Sequence, residues 1–278
     1  MRSQEQGPGD AALSSEAENF ARLGLKALIP LRGRPFLDYV VGSLMQAGIR
    51  RLCLVVAPDS RLMADYARRT SKLARIEVTC AVQEEPLGTA DAVLAAEGFA
   101  DGEPFIASNC DNLYPQDALS RLARLSDWCC YGVGFESHAL LRGGNIAPER
   151  VKAFGVFVLN DRAEVLEIVE KPADTRPYSR EGKLWVSMNL FRFTPDIFDA
   201  CRRVQPSPRG ELELTSAVSL LARSGRAPFR VLFVEAPVLD LTRRDDVAAV
   251  ERLLEGREVG FQNGQLPNPN DQSNPKSQ

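Results

Sequence analysis

Short apolar runs alternate with helix-like segments through the first half of the chain, and this alternation limits the fold more than any other feature. Apolar runs of strand length occupy positions 50–58, 75–83 and 103–115, and a segment with helical spacing follows each run. Strands without a polar face are typical of a parallel sheet that helices cover on both sides. The alternation therefore predicts an α/β, Rossmann-like fold, in which a mostly parallel sheet is sandwiched between helices.

The second half of the chain predicts a hairpin and two further strands. Two alternating runs within 152–172 flank Asn160 and Asp161, which is a hairpin signal. Strands are predicted at 183–195 and at 229–243, and each of them precedes a segment with helical spacing. These strands extend the sheet of the first half.

Both ends of the chain depart from this pattern. Residues 257–278 are rich in Asn, Gln, Pro and Ser, so we expect one folded domain over 1–256 and a disordered tail. The helix predicted over 34–48 is not preceded by a strand, and no apolar run leads into the glycines of "GPGDAA". The predicted sheet therefore lacks the first strand and the Gly-rich turn with which such sheets usually begin.

The charge balance, the apolar runs and the cysteines exclude several classes of function. The chain has 34 Lys and Arg against 37 Asp and Glu, a net charge of −3, so no basic field would attract nucleic acid. No apolar stretch approaches the about 20 residues that span a membrane, and the N-terminus lacks the apolar core of a secretory leader. Six cysteines without metal-ligand spacing lie mostly in apolar runs, which favours buried thiols in a reducing compartment. We expect a cytoplasmic protein without nucleic-acid or membrane partners.

Polar residues at the ends of the predicted strands are the candidate functional residues, because ligands of such sheets bind beyond the carboxyl ends of the strands. Asp111 follows an apolar run, where a carboxylate can bind a metal ion or form a turn. Asp240 lies inside an apolar run and must face a partner, a metal ion or water. Lys26 precedes "ALIPL", either as a surface lysine that covers apolar side chains or as a functional cation. His138, the single histidine, lies in a loop-like stretch and is interpreted as a surface or structural residue.

The segment "QEEPLGTADAV" admits two interpretations. Thr89 can cap the helix that follows it, which would make the segment structural. Alternatively, the amide of Gln83 contacts the edge of a base while Gly88 lets the ring come close. Glu170 and Lys171 close another strand and add charged groups at the end of a predicted strand.

Six short segments stand in an order that is familiar from one enzyme family. "LKALIPLRGRPFLDYVVGSLMQAGI" is similar to P-K-A-L-x-P-x-x-x-K-P-x-I, with Leu25 in place of Pro, and "QEEPLGTADAVLAA" is similar to Q-x-x-x-x-G-T-A-x-A. "IASNCDNLY" stands at a G-D metal site, with Cys110 in place of Gly, and "FGVFVLNDRAEVLEIVEKP" is similar to G-x-x-x-x-D-x-x-x-x-x-x-x-E-K-P. "RGELELTSAVSLLARSG" and "VLDLTRRDDV" are similar to G-E-x-x-x-T-D and W-x-D-x-x-x-x-x-D-V. From Gly24 to Glu255 the chain thus resembles the sugar-1-phosphate nucleotidyltransferases, or NDP-sugar pyrophosphorylases.

The resemblance implies a reaction, a cofactor and a set of site residues. The family transfers a nucleotidyl group from an NTP to a sugar-1-phosphate, gives an NDP-sugar and pyrophosphate, and uses Mg²⁺. By position, Asp111 and Asp240 would hold Mg²⁺, Lys26 would clamp the nucleotide phosphates, and Lys171 would contact the sugar phosphate. The resemblance thus gives catalytic roles to Lys26, Asp111 and Lys171, and substrate contacts to Gln83, Gly88, Thr89, Gly155, Glu170, Ser187 and Asn189, where Asn189 replaces a Gly.

The segment before Lys26 leaves more than one interpretation of the function open. In the family a first strand and a loop like G-x-G-T-R-[ML]-R precede this lysine, and Met1-Arg2 stand where that loop would end. We expect that the start codon lies inside the motif and that the rest of the loop lies upstream. The alternatives are a catalytically silent regulatory or sugar-phosphate-binding subunit, and a relative that acts on a non-sugar phosphate such as a phosphocholine-like group. The short segment after Asp240 predicts a one-domain chain, and family members commonly form homo-oligomers.

Overall fold

The computed structural model of the chain describes Phe20 and residues 25–226 and 228–263. Met1 and Arg2, on which the expectation about the start of the motif rests, lie outside the described residues. The strands are β1 (Pro30–Leu31), β2 (Arg34–Pro35), β3 (Arg51–Val56), β4 (Glu77–Val82), β5 (Phe105–Ala107), β6 (Asn112–Leu113), β7 (Cys130–Glu136), β8 (Gly155–Leu159), β9 (Val165–Val169), β10 (Trp185–Phe193), β11 (Phe229–Val234) and β12 (Leu239–Asp240). The α-helices are α1 (Phe36–Gln46), α2 (Arg61–Ala74), α3 (Thr89–Ala95), α4 (Glu97–Ala100), α5 (Gln116–Ala123), α6 (Ser137–Leu140), α7 (Asp196–Arg203), α8 (Leu214–Ser224) and α9 (Asp246–Leu253). Short 3₁₀ helices cover Lys26–Leu28, Pro148–Ala153 and Arg176–Tyr178.

Strand β10 lies at the centre of the largest sheet, and β5, β7 and β8 all pair with it. The sheet runs in the order β11, β7, β10, β8, β9, and β5 also pairs with β10. β7 occupies one edge of β10, whereas the opposite edge is divided between β8, which pairs at Val186 and Ser187, and β5, which pairs at Phe191–Phe193. We call the intervening stretch, Met188–Leu190, the β10 fork.

The β10 fork gathers residues that are far apart in the sequence. β5 runs antiparallel to β10 and ends at Ala107, opposite Phe191. β8 begins at Gly155, opposite Ser187. The loop that leaves β5 and the first residue of β8 therefore lie on either side of the fork.

Parallel pairing joins β3 to β4 and β7 to β11. Helices pack on the sheets, α2 against β4 and α8 against the antiparallel strand β9. The α/β fold predicted from the sequence is confirmed. Among the described strands, β3 pairs with β4 alone and β5 with β10 alone, so each of the two keeps one edge without a strand partner.

Strand β7 was not predicted, although it is buried along its whole length between β10 and β11. Gly132 and Gly134 interrupt the apolar pattern by which a buried strand is recognised. A Cβ atom at position 132 would lie 2.8 Å from the ring of Phe157, so glycine leaves room for that ring. The same packing that requires glycine thus removes the sequence signal for the strand.

Two predicted strands are each divided into two. The strand predicted at 229–243 becomes β11 and β12, with Pro237 between them, because proline lacks the N–H that a ladder needs. The strand predicted at 103–115 becomes β5 and β6. The two short products, β6 and β12, pair with each other in a separate antiparallel sheet.

Residues 257–263 correct the predicted disordered tail. Phe261 is 8% exposed and belongs to the apolar cluster beneath α1. Val259 packs so closely on α1 that a Cβ atom at Gly42 would lie 3.0 Å from its Cγ1 atom. The Asn263 Nδ2 atom donates a hydrogen bond of 2.6 Å to the carbonyl oxygen of Gly33. This part of the tail is packed because it carries apolar side chains, and residues 264–278 lie outside the described part.

The histidine lies where the sequence predicts it, whereas two of the cysteines do not. His138 lies in α6 with its side chain 78% exposed, as a surface residue. Cys130 and Cys201 are buried, but Cys80 and Cys110 are exposed, so the prediction of buried thiols was wrong for those two. None of the described helices has the length and the apolar surface needed to cross a bilayer.

Candidate active site

Strands β6 and β12 bring two carboxylates together from distant parts of the chain. Asp240 pairs with Asn112 across this ladder, and the N–H of Leu241 donates a 2.8 Å hydrogen bond to the carbonyl oxygen of Asp111. Burial, and after it the negative charge of Asp240, raise the pKa of Asp111, while the cationic side chain of Lys26 acts in the opposite direction. The two carboxylates are thus close enough to repel each other, and a cation between them would be stabilised.

The two carboxylates could hold a divalent cation only together with further ligands. Among the described residues, no group of three or more His, Cys, Asp or Glu side chains could hold a metal ion. Mg²⁺ usually takes one or two protein carboxylates and completes its shell with water and substrate phosphates. The repelling pair of Asp111 and Asp240 fits that pattern, with phosphate oxygens as the remaining ligands.

Lys26 is anchored to the turn that follows Asp240. Its Nζ atom donates a 2.6 Å hydrogen bond to the carbonyl oxygen of Thr242. The N–H of Thr242 in turn donates to the Asp240 Oδ1 atom at 2.8 Å. The ammonium group therefore lies beside the carboxylate pair, where a second cation can meet phosphate oxygens.

Two residues that the sequence analysis missed hold Asp240 in place. Arg150, in the 3₁₀ helix before β8, is buried and donates to the Asp240 Oδ2 atom and to the Asp246 Oδ1 atom, both at 2.8 Å. Asn145 binds the backbone of Asp240 twice, because its Oδ1 atom accepts from the N–H at 2.9 Å and its Nδ2 atom donates to the carbonyl oxygen at 2.6 Å. Neither residue stands in a recognisable motif, so no sequence signal could have identified them.

The loop from Gln83 to Thr89 is fastened to the segment before α8. The Nε2 atom of Gln83 donates to the carbonyl oxygen of Gly88 at 3.0 Å and to the Asp91 Oδ2 atom at 2.9 Å. Both amide hydrogens are then used, and the carbonyl oxygen Oε1 remains to accept a hydrogen bond from a ligand. Gly88 has φ of +129° and approaches the backbone of Leu212.

Thr89 does not cap the helix that it begins. Gly88 occupies the N-cap position of α3, without a side-chain capping bond. The Thr89 Oγ1 atom instead accepts a 2.9 Å hydrogen bond from the N–H of Leu214 at the start of α8. The capping interpretation was therefore wrong, because the hydroxyl group joins the start of α3 to the start of α8.

A second charged group lies where β8 and β9 meet. A Cβ atom at Gly155 would lie 2.7 Å from the Ile168 Cγ2 atom and 3.3 Å from the Glu170 Oε1 atom, so the absence of a side chain keeps the space beside Glu170 open. Burial raises the pKa of Glu170, and the charge of Lys171 opposes that rise. Lys171 itself is exposed and has φ of +43°.

Arg209 joins this charged group from the loop before α8. Its Nη2 atom lies 2.8 Å from the Glu213 Oε1 atom. Burial acts to raise the pKa of Glu213, but hydrogen bonds from Arg209 and Ser207 and the charge of Lys171 together lower it. Arg209 stands at the start of the segment "RGELELT", so that motif was the signal by which the residue could have been found.

Asn189 lies within the β10 fork and Ser187 directly precedes it, between the two charged groups. Asn189 has φ of +56°, a left-handed conformation that asparagine tolerates better than most residues. Its N–H donates to the Ser187 Oγ atom at 3.3 Å. The Tyr114 hydroxyl group donates to the carbonyl oxygen of Met188 at 2.7 Å, which ties the loop after Asp111 to the fork.

The structure connects all the candidate residues into one region. Lys26, Asp111 and Asp240 form the first charged group, and Glu170 and Lys171 form the second. The fork links the two, and the loop from Gln83 to Thr89 joins the second group through the segment 212–214. The first charged group thus combines two carboxylates with a lysine, and the second combines a buried carboxylate with an exposed lysine.

Comparisons with known proteins identify the family of the chain. The family model described as "Nucleotidyl transferase" matches residues 21–236. The low-salt glycan biosynthesis nucleotidyltransferase Agl11 of Haloferax volcanii is 29% identical over 207 residues, which cover 73% of this chain and 53% of that protein. The UTP–glucose-1-phosphate uridylyltransferase AglF of the same organism is 29% identical over 230 residues, which cover 83% of this chain and 88% of that protein. The match thus spans about half of one relative and most of the other.

A solved structure supports the fold. A UDP-glucose pyrophosphorylase in complex with UDP-glucose superposes with a TM-score of 0.61 at 20% identity, over 84% of this chain and 91% of that chain. At this identity the likeness concerns the fold alone. Because the family model matches well over half of the residues, the resemblance seen in the sequence is confirmed, and the chain belongs to the nucleotidyl transferase family.

Proposed function

We propose that the protein transfers a nucleotidyl group from an NTP to a sugar-1-phosphate, with an NDP-sugar and pyrophosphate as the products. The observation on which this proposal rests is the pairing of β6 with β12, which sets Asp111 beside Asp240 with Lys26 bound to the next turn. The names of AglF and of the solved UDP-glucose pyrophosphorylase support the same class of substrates.

In the proposed reaction an oxygen of the sugar-1-phosphate attacks the α-phosphorus of the NTP. A bond forms between that oxygen and the α-phosphorus, and the bond to the β-phosphate oxygen breaks, so that pyrophosphate leaves with its electron pair. The partners are anions, and the protein therefore has to neutralise charge and to align the two phosphates. No covalent intermediate with a side chain is required.

The side chains divide this task between them. Asp111 and Asp240 would hold Mg²⁺, which when bound neutralises phosphate charge. Lys26 faces the nucleotide phosphates. Lys171 faces the phosphate of the sugar. These two lysines belong to the two charged groups on either side of the β10 fork, where an in-line attack would take place.

The remaining residues are proposed to bind the base and the sugar. The free Oε1 atom of Gln83 accepts a hydrogen bond from the base, while Gly88 and Thr89 keep the loop in place. Glu170 accepts from sugar hydroxyl groups in the space that Gly155 leaves open. Ser187 and Asn189, before and within the fork, lie beside the sugar. The homo-oligomer and the cytoplasmic location remain predictions.

The direct test is release of pyrophosphate in the presence of Mg²⁺, with a panel of NTPs and sugar-1-phosphates. Activity with at least one pair is expected, and Asp111→Asn and Asp240→Asn should each lower it by about 10²-fold or more. Asp127→Asn is the matched control, because this carboxylate pairs with Arg192 and Arg230 away from the two charged groups. A folded protein that releases no pyrophosphate with any pair would refute the proposal, and so would equal losses in the three variants.

A further inference from the structure

Arg150 places a buried positive charge directly on one of the two carboxylates proposed to bind the metal ion. Only 7% of its side chain is exposed, and its two terminal nitrogens reach Asp240 and Asp246 at 2.8 Å each. Charge-assisted hydrogen bonds of this length from a guanidinium group are among the strong ones in proteins. Arg150 is therefore a fixed counter-charge for Asp240.

Each carboxylate oxygen of Asp240 already accepts a hydrogen bond. A metal ion that binds Asp240 therefore competes with the guanidinium group of Arg150 for the Oδ2 atom. The Asp240 Oδ1 atom accepts from the N–H of Thr242 at 2.8 Å, and the Oδ2 atom accepts from Arg150. Asn145 fixes the backbone of Asp240, so the carboxylate cannot turn away from Arg150 by a backbone movement alone. A divalent cation that approaches Asp240 meets a carboxylate whose charge Arg150 already compensates in part.

The charges around Asp111 and Asp240 also favour a metal ion that arrives together with a nucleotide. Asp111, Asp240 and Asp246 are opposed by Lys26 and Arg150, so one net negative charge remains for a cation to neutralise if all five groups are ionised. Phosphate groups of a nucleotide would add the negative charge that the protein does not supply.

We infer that Arg150 acts as an internal counter-cation that lowers the affinity of Asp240 for a free divalent ion, so that the ion binds together with the nucleotide. This inference rests on the proposed function. Arg150 is a positioning residue in this role, since it acts through Asp240 and touches no substrate. It holds the Asp240 carboxylate in a fixed orientation until a metal–nucleotide complex arrives.

Two substitutions should change the metal affinity in opposite directions. Arg150→Gln removes the counter-charge and leaves a buried carboxylate uncompensated, a state that a divalent ion relieves. Asp246→Asn removes the competing carboxylate, so the guanidinium charge acts on Asp240 alone and the ion is repelled more strongly. A purely structural role for Arg150 would predict weaker or unchanged metal binding in Arg150→Gln, whereas the counter-charge predicts tighter binding.

The test is a titration with Mn²⁺ in which free Mn²⁺ is followed by electron paramagnetic resonance, first without nucleotide and then with a non-hydrolysable UTP analogue. Without nucleotide, Arg150→Gln should bind Mn²⁺ about tenfold more tightly than the unmodified protein or better, and Asp246→Asn should bind it more weakly. The nucleotide should improve Mn²⁺ binding more in the unmodified protein than in Arg150→Gln. Arg192→Gln, which removes another buried arginine, is the control and should change neither titration.

Unchanged or weaker Mn²⁺ binding by folded Arg150→Gln would overturn the inference. Circular dichroism checks that the variants fold. If Arg150→Gln does not fold, Asp246→Asn is the variant to measure. Unchanged or tighter Mn²⁺ binding by Asp246→Asn would contradict the role of Arg150 as a counter-charge. If the unmodified protein fails to bind Mn²⁺ even with the nucleotide, the proposed metal site fails and the inference fails with it. If it binds Mn²⁺ with the nucleotide but Arg150→Gln behaves like Arg192→Gln, only the inference is lost.

Discussion

Replacing Gly88 by alanine should separate the loop that begins at Gln83 from the segment before α8. The new Cβ atom would lie 2.6 Å from the carbonyl oxygen and 2.7 Å from the nitrogen of Leu212, and neither backbone atom can rotate away. The two segments are joined by hydrogen bonds from Leu212 N–H to Leu87 at 2.7 Å and from Ala90 N–H to Leu212 at 2.8 Å. The substitution therefore has to break this pair of bonds or distort the backbone on both sides.

The size of the effect follows from two contributions. A backbone with φ of +129° and ψ of −177° belongs to a region that is open to glycine almost alone, and a side chain there costs about 2 kcal/mol. Each hydrogen bond lost adds about 1 kcal/mol. We expect Gly88→Ala to lower the free energy of unfolding by about 4 kcal/mol in total.

Chemical denaturation followed by circular dichroism measures this loss. Gly143→Ala is the matched control, because Gly143 also has a positive φ, +80°, but no atom lies within 4 Å of its added Cβ atom. The control should cost about 1 kcal/mol, from backbone strain alone. Equal losses in the two variants would show that the contact with Leu212 does not constrain the loop.

Three further predictions concern the sugar side, the carboxylate pair and the packed end of the chain. Gly155→Ala should raise the KM for the sugar-1-phosphate in the pyrophosphate-release assay more than it lowers kcat, because the methyl group enters the space beside Glu170. Burial and the negative charge of Asp240 raise the pKa of Asp111, so this carboxyl group binds its proton more tightly in the folded state than in the unfolded state. The metal-free protein should therefore lose stability as the pH rises through the pKa of Asp111 in the folded state. Asp111→Asn should lack that loss, which melting temperatures measured with a chelator from acidic to neutral pH would reveal; identical pH profiles would contradict the repulsion. Phe261→Ala should lower the free energy of unfolding by about 3 kcal/mol in urea denaturation, whereas a disordered tail would leave it unchanged.

The carboxylate pair was accessible from the sequence because both residues are polar interruptions of apolar runs. Asp111 was selected because it follows the apolar run that contains β5, and Asp240 because a carboxylate inside an apolar run needs a partner, a metal ion or water. What the sequence could not provide is the reason they meet. Their proximity depends on the pairing of two strands of two residues each, too short to show any periodicity.

Other features escaped prediction because tertiary contacts overrode the local pattern. β7 has glycine where Phe157 needs space, so its apolar alternation is broken although it is a central strand. Thr89 has a sequence context typical of a helix cap, yet its hydroxyl group accepts from Leu214, 125 residues away. Arg150 is an ordinary charged residue in the sequence, and only the fold makes it a buried partner of Asp240.

The division of β10 has a consequence for the order in which the protein can be assembled. The partners of β10 lie at 105–107, 130–136 and 155–159, all of them earlier in the chain, so during synthesis they leave the ribosome before the strand that joins them. Contacts between residues so far apart in the sequence slow folding. Until β10 is synthesised, the unpaired strand edges can form non-native pairs or aggregate. The stretch up to Phe193 is therefore the shortest nascent chain in which β5, β7 and β8 can join β10, and of the described strands of this sheet only the edge strand β11 is still to be added. A release before Phe193 should give a product that depends on chaperones.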